Sequence, residues 1–348
     1  MKQRPFTAVL IVPTGIGASI GGYAGDAMPV VRAMAQVCDR LITHPNVLNG
    51  AQLYWNAPPI HYVEGYALDQ FAAGLWGLQP VHQNRIGLLL DAAIEPELRL
   101  RHIQAAEAAK TTLGLNLTDY VVTDAPVGVE LRTAASGASW GTIQNEGTLL
   151  RAAETLIHKA QADAIAVVAR FPDEEPDDPS LQDYRHGVGV DAIAGAEAVI
   201  SHLIVRQFQI PCAHAPALSP LPVDAEVSPR AAAEELGYTF LPCVLMGLSR
   251  APRFLTTPSP QGIWADSVDA IIVPANACGG SATLSLSQSQ VITVADNHTQ
   301  MQVTAAPLGI KALEVESYLE AIGVLAALQA GVNPLALRPE VSRLHCIT

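Results

Sequence analysis

The chain has 348 residues, of which 49% are hydrophobic and only 15% charged, against about 25% charged in an ordinary soluble domain. Its 20 basic and 33 acidic residues leave a net charge of −13, which argues against binding a phosphate backbone through clustered lysines and arginines. So little charge cannot cover two well-separated domains, and the composition predicts a compact body that self-associates as a homo-oligomer.

Taken in chain order, short β-branched runs alternate with amphipathic helical patterns. Strands are predicted over 7–12, 86–90, 120–123, 164–169, 239–245, 269–273 and 291–294. Helices are predicted over 27–42, 95–113, 146–160, 191–208, 229–236 and 314–330, the last followed by Gly331 as a stop signal. The strands are apolar throughout rather than alternating, as expected when helices cover both sheet faces. The expected fold is therefore α/β, a mainly parallel sheet with helices on both faces, with two intimately packed α/β halves as a variant. The acidic, proline-rich segment 171–185 continues neither neighbouring element. It reads equally as an insertion over a site within a single unit spanning 1–348 or as a boundary between 1–170 and 186–348.

The apolar run near the N-terminus breaks at Pro13, too early for a signal-peptide core. No uncharged stretch reaches the ~20 apolar residues of a membrane span. Cys38, Cys212, Cys243, Cys278 and Cys346 form no CxxC pair and suit a reducing compartment. The expected setting is cytoplasmic, with no membrane partner.

Between the first strand and the first helix lie Gly15, Gly17, Gly21, Gly22 and Gly25. Glycines there permit either a tight, close-packed turn or a backbone cradle for a carboxylate or phosphate. The G-x-G-x-x-x-G spacing is only a weak likeness to a dinucleotide fingerprint, and the Walker lysine is missing. His44, Asn46 and Asn49 follow in an uncharged stretch and must find partners or line a pocket. Glu64 and Asp69 come next. Asp91, with Glu95 nearby, Asp124 and Arg170 fall at carboxyl ends of predicted strands, where crevices of parallel sheets bind ligands; the alternative is that such acids cap the next helix.

Farther on, Arg185, His186 and Asp191 lie among glycines, and Asp191 is placed to cap its helix, which carries Glu197 and His202 among apolar neighbours. There His202 reads as a core histidine. Cys212 and His214 sit on a strand-to-loop passage. The sharpest chemical feature is the strand that leads into Asn276, Cys278, Gly279, Gly280 and Ser281. A thiol at a helix start is favoured as thiolate by the free N–H groups there, although a structural cysteine fits the same pattern. The arrangement resembles the strand–cysteine–helix elements of cofactor-independent amino-acid racemases, which need two thiols on opposite sides of one α-carbon; Cys212 is the second candidate. His44, Asp91, His186, Asp191 and His214 form no ligand pair at metal-binding spacing, so neither a metal nor another cofactor is expected.

The runs PTGIGASIGGYAGDA, THPNVLNGA, VEGYALD, VVARFPD, IPCAHAPAL and ACGG together resemble a protein family of cyanobacteria and plastid-bearing plants known as a domain of unknown function. The resemblance extends over nearly the whole chain. It implies one integrated architecture in a cytosolic or plastid-stromal setting, and brings no activity with it.

The expected function is an enzyme acting on a small anionic metabolite by proton transfer, in the manner of an isomerase or racemase. Its catalytic candidates are Cys278, Cys212, His214 and Asp91. The ligand would be held by Gly15, Gly17, Gly21, Gly22, His44, Asn46, Arg170, Gly279 and Gly280. The alternatives are a hydrolase, metal-assisted or not, a non-catalytic metabolite or nucleotide sensor, and a structural oligomer.

Overall fold

The computed structural model describes residues 4–53, 55, 57–173, 175–235, 240–341, 343, 344 and 346. Leu236 and Thr239, at the ends of two expected elements, lie outside that set. The strands are β1 (Thr7–Leu10), β2 (Arg40–Thr43), β3 (Ile60–Tyr62), β4 (Gly77–Gln79), β5 (Ile86–Leu90), β6 (Leu117–Val122), β7 (Val129–Thr133), β8 (Ser139–Ile143), β9 (Ala164–Arg170), β10 (Cys212–Ala217), β11 (Arg253–Leu255), β12 (Val268–Pro274), β13 (Gln290–Val294) and β14 (Ala312–Val315). The helices are α1 (Met28–Met34), α2 (Pro45–Leu48), α3 (Gly65–Ala72), α4 (Pro96–Leu113), α5 (Glu146–Lys159), α6 (Pro179–Arg185), α7 (Ala194–Phe208), α8 (Ala232–Glu235), α9 (Phe240–Ser249), α10 (Ser281–Ser285) and α11 (Tyr318–Gln329).

Two parallel sheets carry the fold. One has six strands in the order β14-β13-β12-β1-β2-β3, the other four in the order β10-β9-β5-β6. Alternate residues of both sheets feed the same two apolar clusters. Leu10, Ile272, Leu88 and Val168 belong to the first; Val9, Ile271, Leu89 and Val167 belong to the second. Helices therefore cover both faces, which accounts for strands that are apolar on every residue. A break at 171–185 would cut both sheets, since each takes strands from before and after that segment.

Three expected elements differ. The helix over 27–42 stops at Met34, and Arg40–Thr43 is β2, inserted beside β1. The strand over 239–245 is helical: Phe240–Ser249 forms α9, buried against β9, β10 and α4, so its apolar run has no period to betray it. The helix over 314–330 begins at Tyr318, after β14 has paired with β13.

Each sheet reverses its strand order once, between β1 and β12 and between β5 and β9. Such switch points leave a crevice at the strand carboxyl ends. At the second, Asp91 fills the crevice. Its fully buried carboxylate accepts backbone N–H groups from Ala93 and Val127 at 3.0 Å and from Arg170 at 3.1 Å, tying β5, β9 and the loop before β7 together. The first switch point stays open.

One backbone junction sets the helix beside that opening. Ser139 N donates to Gly15 O at 2.8 Å, and Gly195 N donates to Ser139 Oγ at 3.3 Å. A Cβ on Gly195 would lie 2.2 Å from Ser139 O, so no other residue fits without moving β8 or α7. Gly195→Ala is expected to cost about 1–3 kcal/mol or more through overpacking. Gly323→Ala, in α11 with open space around it, is expected to add about 0.5–1 kcal/mol. Denaturant midpoints of the two variants check both signs.

Candidate functional site

A cavity of about 400 Å³ lies at the open switch point, within the roughly 300–1,000 Å³ of small-molecule sites. The ends of β1, β2 and β3 contribute Thr14, His44, Asn46 and Glu64. From β10 come His214 and Pro216, and from α10 and its cap Gly280 to Thr283. The segment 171–185 supplies Leu181, Tyr184 and Arg185 on α6, Asp191 comes from just before α7, and α7 itself supplies Glu197, Ser201 and His202.

Two clamps hold the mouth of β1. His44 Nε2 accepts the Val12 N–H at 3.1 Å, so the ring proton sits on Nδ1. Burial pushes its pKa down to about 4 and keeps it neutral. Asn46 donates to Val12 O at 3.0 Å and Gly21 O at 2.9 Å, and accepts from Thr14 at 3.2 Å.

Opposite them stands an imidazole–carboxyl pair. His214 Nδ1 is 3.0 Å from Ser201 Oγ, and its Nε2 is 3.8 Å from Glu197 Oε2. Ser201 Oγ also donates to Ala198 O at 3.3 Å. One consistent assignment has Nδ1–H donating to Ser201, which leaves the Nε2 lone pair towards Glu197. Burial pushes His214 down to about 3, with His202 adding to the effect. Burial pushes Glu197 well above the carboxylate range, with Asp191 and Glu234 adding to it. Burial thus disfavours the charged form of each partner, the carboxylate of Glu197 and the imidazolium of His214.

His202 titrates the other way. Burial alone would lower its pKa, but the Glu64 carboxylate, 2.9 Å from Nε2, and Asp69 beyond it raise it instead. Glu64 is fixed as the cap of α3, accepting the N–H groups of Tyr66 at 2.9 Å and Ala67 at 3.2 Å. Asp191 accepts the Ile193 N–H at 2.9 Å just before α7, and burial raises its pKa to about 6. Burial raises Glu234 well above its ordinary range too, while it accepts from Tyr184 OH and, at 2.7 Å, from Ala24 N–H.

Of the residues picked from sequence, the cavity gathers His44, Asn46, His214 and Gly280. The others lie elsewhere. Cys278 is fully buried, its S–H directed at the carbonyls of Pro274 and Ala275, and burial raises its pKa. Cys212 is fully buried in β10, and burial holds its thiol well above its ordinary value. Neither thiol lines the cavity, which removes the two-thiol arrangement of a racemase. Asp91 has the structural partners given above. Arg170 is clasped between Glu95 and Asp173 at 2.8–3.1 Å and donates to Phe171 O, so its guanidinium is not available to an anion.

The glycine turn is close-packed. A Cβ on Gly15 would meet Ser139, on Gly17 the Gly189 carbonyl, on Gly21 the Val12 side chain, and on Gly22 the Ala18 carbonyl, all within 2.9 Å. Gly279 faces Val303. The turn thus shapes the wall behind Thr14 and Ala24. Ser201, Tyr184 and Glu234 were not among the sequence candidates. Glu234 lies in a short helix with no motif, whereas Glu197, Ser201 and His202 share one stripe of α7 at helical spacing. Among the described residues no three His, Cys, Asp or Glu side chains are grouped to hold a metal ion, and no helix is long and apolar enough to cross a membrane.

With this geometry in hand, the chain can be compared with known proteins. An uncharacterized lipoprotein of Synechococcus sp. is 61% identical over 99% of this chain and 96% of its own length. Its name points to a membrane-anchored rather than a cytoplasmic location, which overturns the cytoplasmic setting expected from the cysteines and the N-terminal run. No solved structure matches the chain. Residues 7–338 match the family described as protein of unknown function DUF3326. The chain belongs to the DUF3326 family.

Proposed function

We propose that the protein is an enzyme that moves a proton on a small polar metabolite held in this cavity, with His214 as base and His202 as acid. The reading rests on one observation: two histidines of a single cavity are driven in opposite directions by their surroundings. Environments that separate the pKa values of paired groups divide acid from base. His214 is uncharged with Nε2 towards the cavity side of Glu197, and His202 is held towards the imidazolium by Glu64. Glu197, whose pKa burial raises well above its ordinary range, is the group through which His214 is reset. The thiols take no part.

The hydrolase alternative has one geometric element in its favour, the Ser201–His214–Glu197 line. Ser201 is 1% exposed and its hydroxyl is turned to a helix carbonyl, so it is badly placed to attack a substrate. A sensor on the same cavity would bind without exchange.

Incubation with candidate metabolites in deuterium oxide separates these readings. Wild-type protein is expected to place deuterium on a carbon of its substrate, and His214→Gln to slow this about 10²–10⁴-fold while binding persists. Binding with no exchange in the wild type would make the protein a sensor.

Stability should carry the mark of the buried acids. A carboxyl raised in the fold stabilises it fully below its unfolded pKa, and that contribution is lost as pH rises through the folded value, about 6 for Asp191. Asp191→Asn cannot ionise. Its stability relative to wild type is therefore expected to improve between pH 5 and pH 7.5, by of order 1–3 kcal/mol. Thermal melts at the two pH values measure the difference.

Self-association remains part of the proposal. Leu319 on α11 and Leu335 and Leu337 beyond it are exposed apolar side chains that a partner copy would cover. Light scattering is expected to report at least a dimer, and Leu319→Asp with Leu337→Asp to shift it towards the 36.7 kDa monomer.

A further inference from the structure

The end of β2 gives the cavity hydrogen-bond donors that the protein itself leaves unused. His44 is 8% exposed and lines the cavity. A backbone N–H can only donate, so the Val12 contact at 3.1 Å fixes Nε2 as acceptor and leaves the ring proton on Nδ1. Among the described residues no acceptor meets that Nδ1–H, and Nδ1 is not sealed off from the cavity. Asn49, 9% exposed on the same lining, repeats the arrangement. Its Oδ1 accepts from the Tyr62 hydroxyl, and its amide N–H groups have no acceptor among the described residues. The two residues flank α2, so one four-residue helix holds both donors on one wall. Thr14 and Asn46 beside them are engaged with each other and with the carbonyls of Val12 and Gly21. A donor left unmet on a buried side chain is costly unless a bound group brings the acceptor.

We propose that His44 Nδ1–H and the Asn49 amide hold the carbonyl oxygen of the substrate, a ketone or aldehyde whose neighbouring carbon carries the proton that moves. This rests on His214 and His202 acting as base and acid in the proposed function. A carbon-bound proton is removed readily only where an adjacent carbonyl takes up the charge, so that reaction needs oxygen-facing donors of this kind. His214 takes the proton from carbon. The C–H electron pair becomes the C=C bond of an enolate, and the C=O π pair moves onto oxygen. There the new charge meets two donors already in place, which need not reorient to receive it. His202 then gives a proton back to the carbon and the C=O bond re-forms. His214 ends one proton richer and His202 one poorer, a difference that exchange with solvent levels. A neutral imidazole is too weak an acid to give its proton to the oxygen, so it polarises the carbonyl without diverting the reaction. The bond from Val12 keeps His44 in that form, because a proton on Nε2 would collide with the backbone N–H.

Acetoin and its diol counterpart, which differ only in the carbonyl, test this on the full chain labelled with isotopic histidine. At tens of millimolar, acetoin is expected to move the His44 Nδ1–H resonance downfield, and the diol to leave it in place. His44→Gln sets an amide oxygen where Nε2 accepts from Val12 but has no donor at the Nδ1 position. Deuterium uptake at the α-carbon of acetoin is therefore expected to fall about 10²–10³-fold in kcat, with KM nearly unchanged. A role confined to holding Val12 would be met by the glutamine and would leave kcat as it was. A ring proton found on Nε2, equal shifts with the two compounds, no shift with acetoin, or an unchanged kcat in His44→Gln would overturn the inference. If His44→Gln does not fold, the resonance measurements on the wild type decide alone. The two proposals fail separately. A His44 shift with acetoin but no deuterium uptake keeps the carbonyl site and counts against proton transfer, whereas uptake that His44→Gln does not slow does the reverse.

Discussion

The contact on which the site depends is made at the meeting of Gly15, Ser139 and Gly195, by two backbone N–H groups that donate to the Gly15 carbonyl and the Ser139 hydroxyl. Three chain segments converge there: the turn after β1, strand β8 and the first turn of α7. Because two of the three residues lack a side chain, α7 lies against the β7–β8 hairpin at a distance that no Cβ would permit. That closeness brings Glu197, Ser201 and His202 to the carboxyl end of β1 and opposite His214 on β10. The hairpin, which belongs to neither large sheet, is thus the splint that orients the functional helix. Gly141, whose Cβ would strike Ala196, extends the same contact along β8.

The polar residues at the strand ends divide into two kinds by where their hydrogen bonds go. Asp91 and Arg170 spend theirs on backbone groups and local carboxylates, and they close the β5–β9 switch point. His44 and Asn46 use theirs to pin Val12, which leaves their remaining surface on the cavity. At the β1–β12 switch point Asp191, Glu197 and Glu234 border the open cavity instead. Burying a carboxylate is costly, so burial raises the pKa of all three, and the wall becomes a set of weakened acids beside a neutral imidazole. A chain with 15% charged residues has few to spare. It places several of them at this cavity, where burial raises their pKa values.

How much of this was legible follows the physics of each signal. Runs such as Ile86–Leu90 and Ala164–Arg170 announced a parallel sheet because both faces are covered, and the glycine turn announced a close approach of backbones. The same apolar character hid α9, since a helix buried all round has no polar stripe. It also hid β2, four residues long and continuous in pattern with the helix before it. At the site, the rule that strand carboxyl ends face a crevice located His44, Asn46 and His214. It could not tell an end that is filled from one that is open, which is why Asp91 and Arg170 were grouped with them. His202 reads as core from its Ala, Val and Ile neighbours; its partner Glu64 is far away in sequence and becomes a neighbour only through α3 against α7. Glu234 carries no local signal at all.

The thiols show why position in a motif is a weaker guide than solvation. Cys278 does stand just before a helix, but α10 is only five residues long and the S–H points back at the carbonyls of the strand turn. A helix dipole of that length offers little, and burial raises the thiol pKa rather than lowering it. A group that moves protons must be reachable by the substrate. Cys278 and Cys212, both fully buried, are not part of the cavity lining. His214 and His202 border the cavity, and their surroundings move them apart from a common starting value, one by desolvation and one by a fixed carboxylate. What separates the two kinds of residue is the cavity itself, opened where β1 and β12 part and held open by the Gly15–Ser139–Gly195 contact behind it.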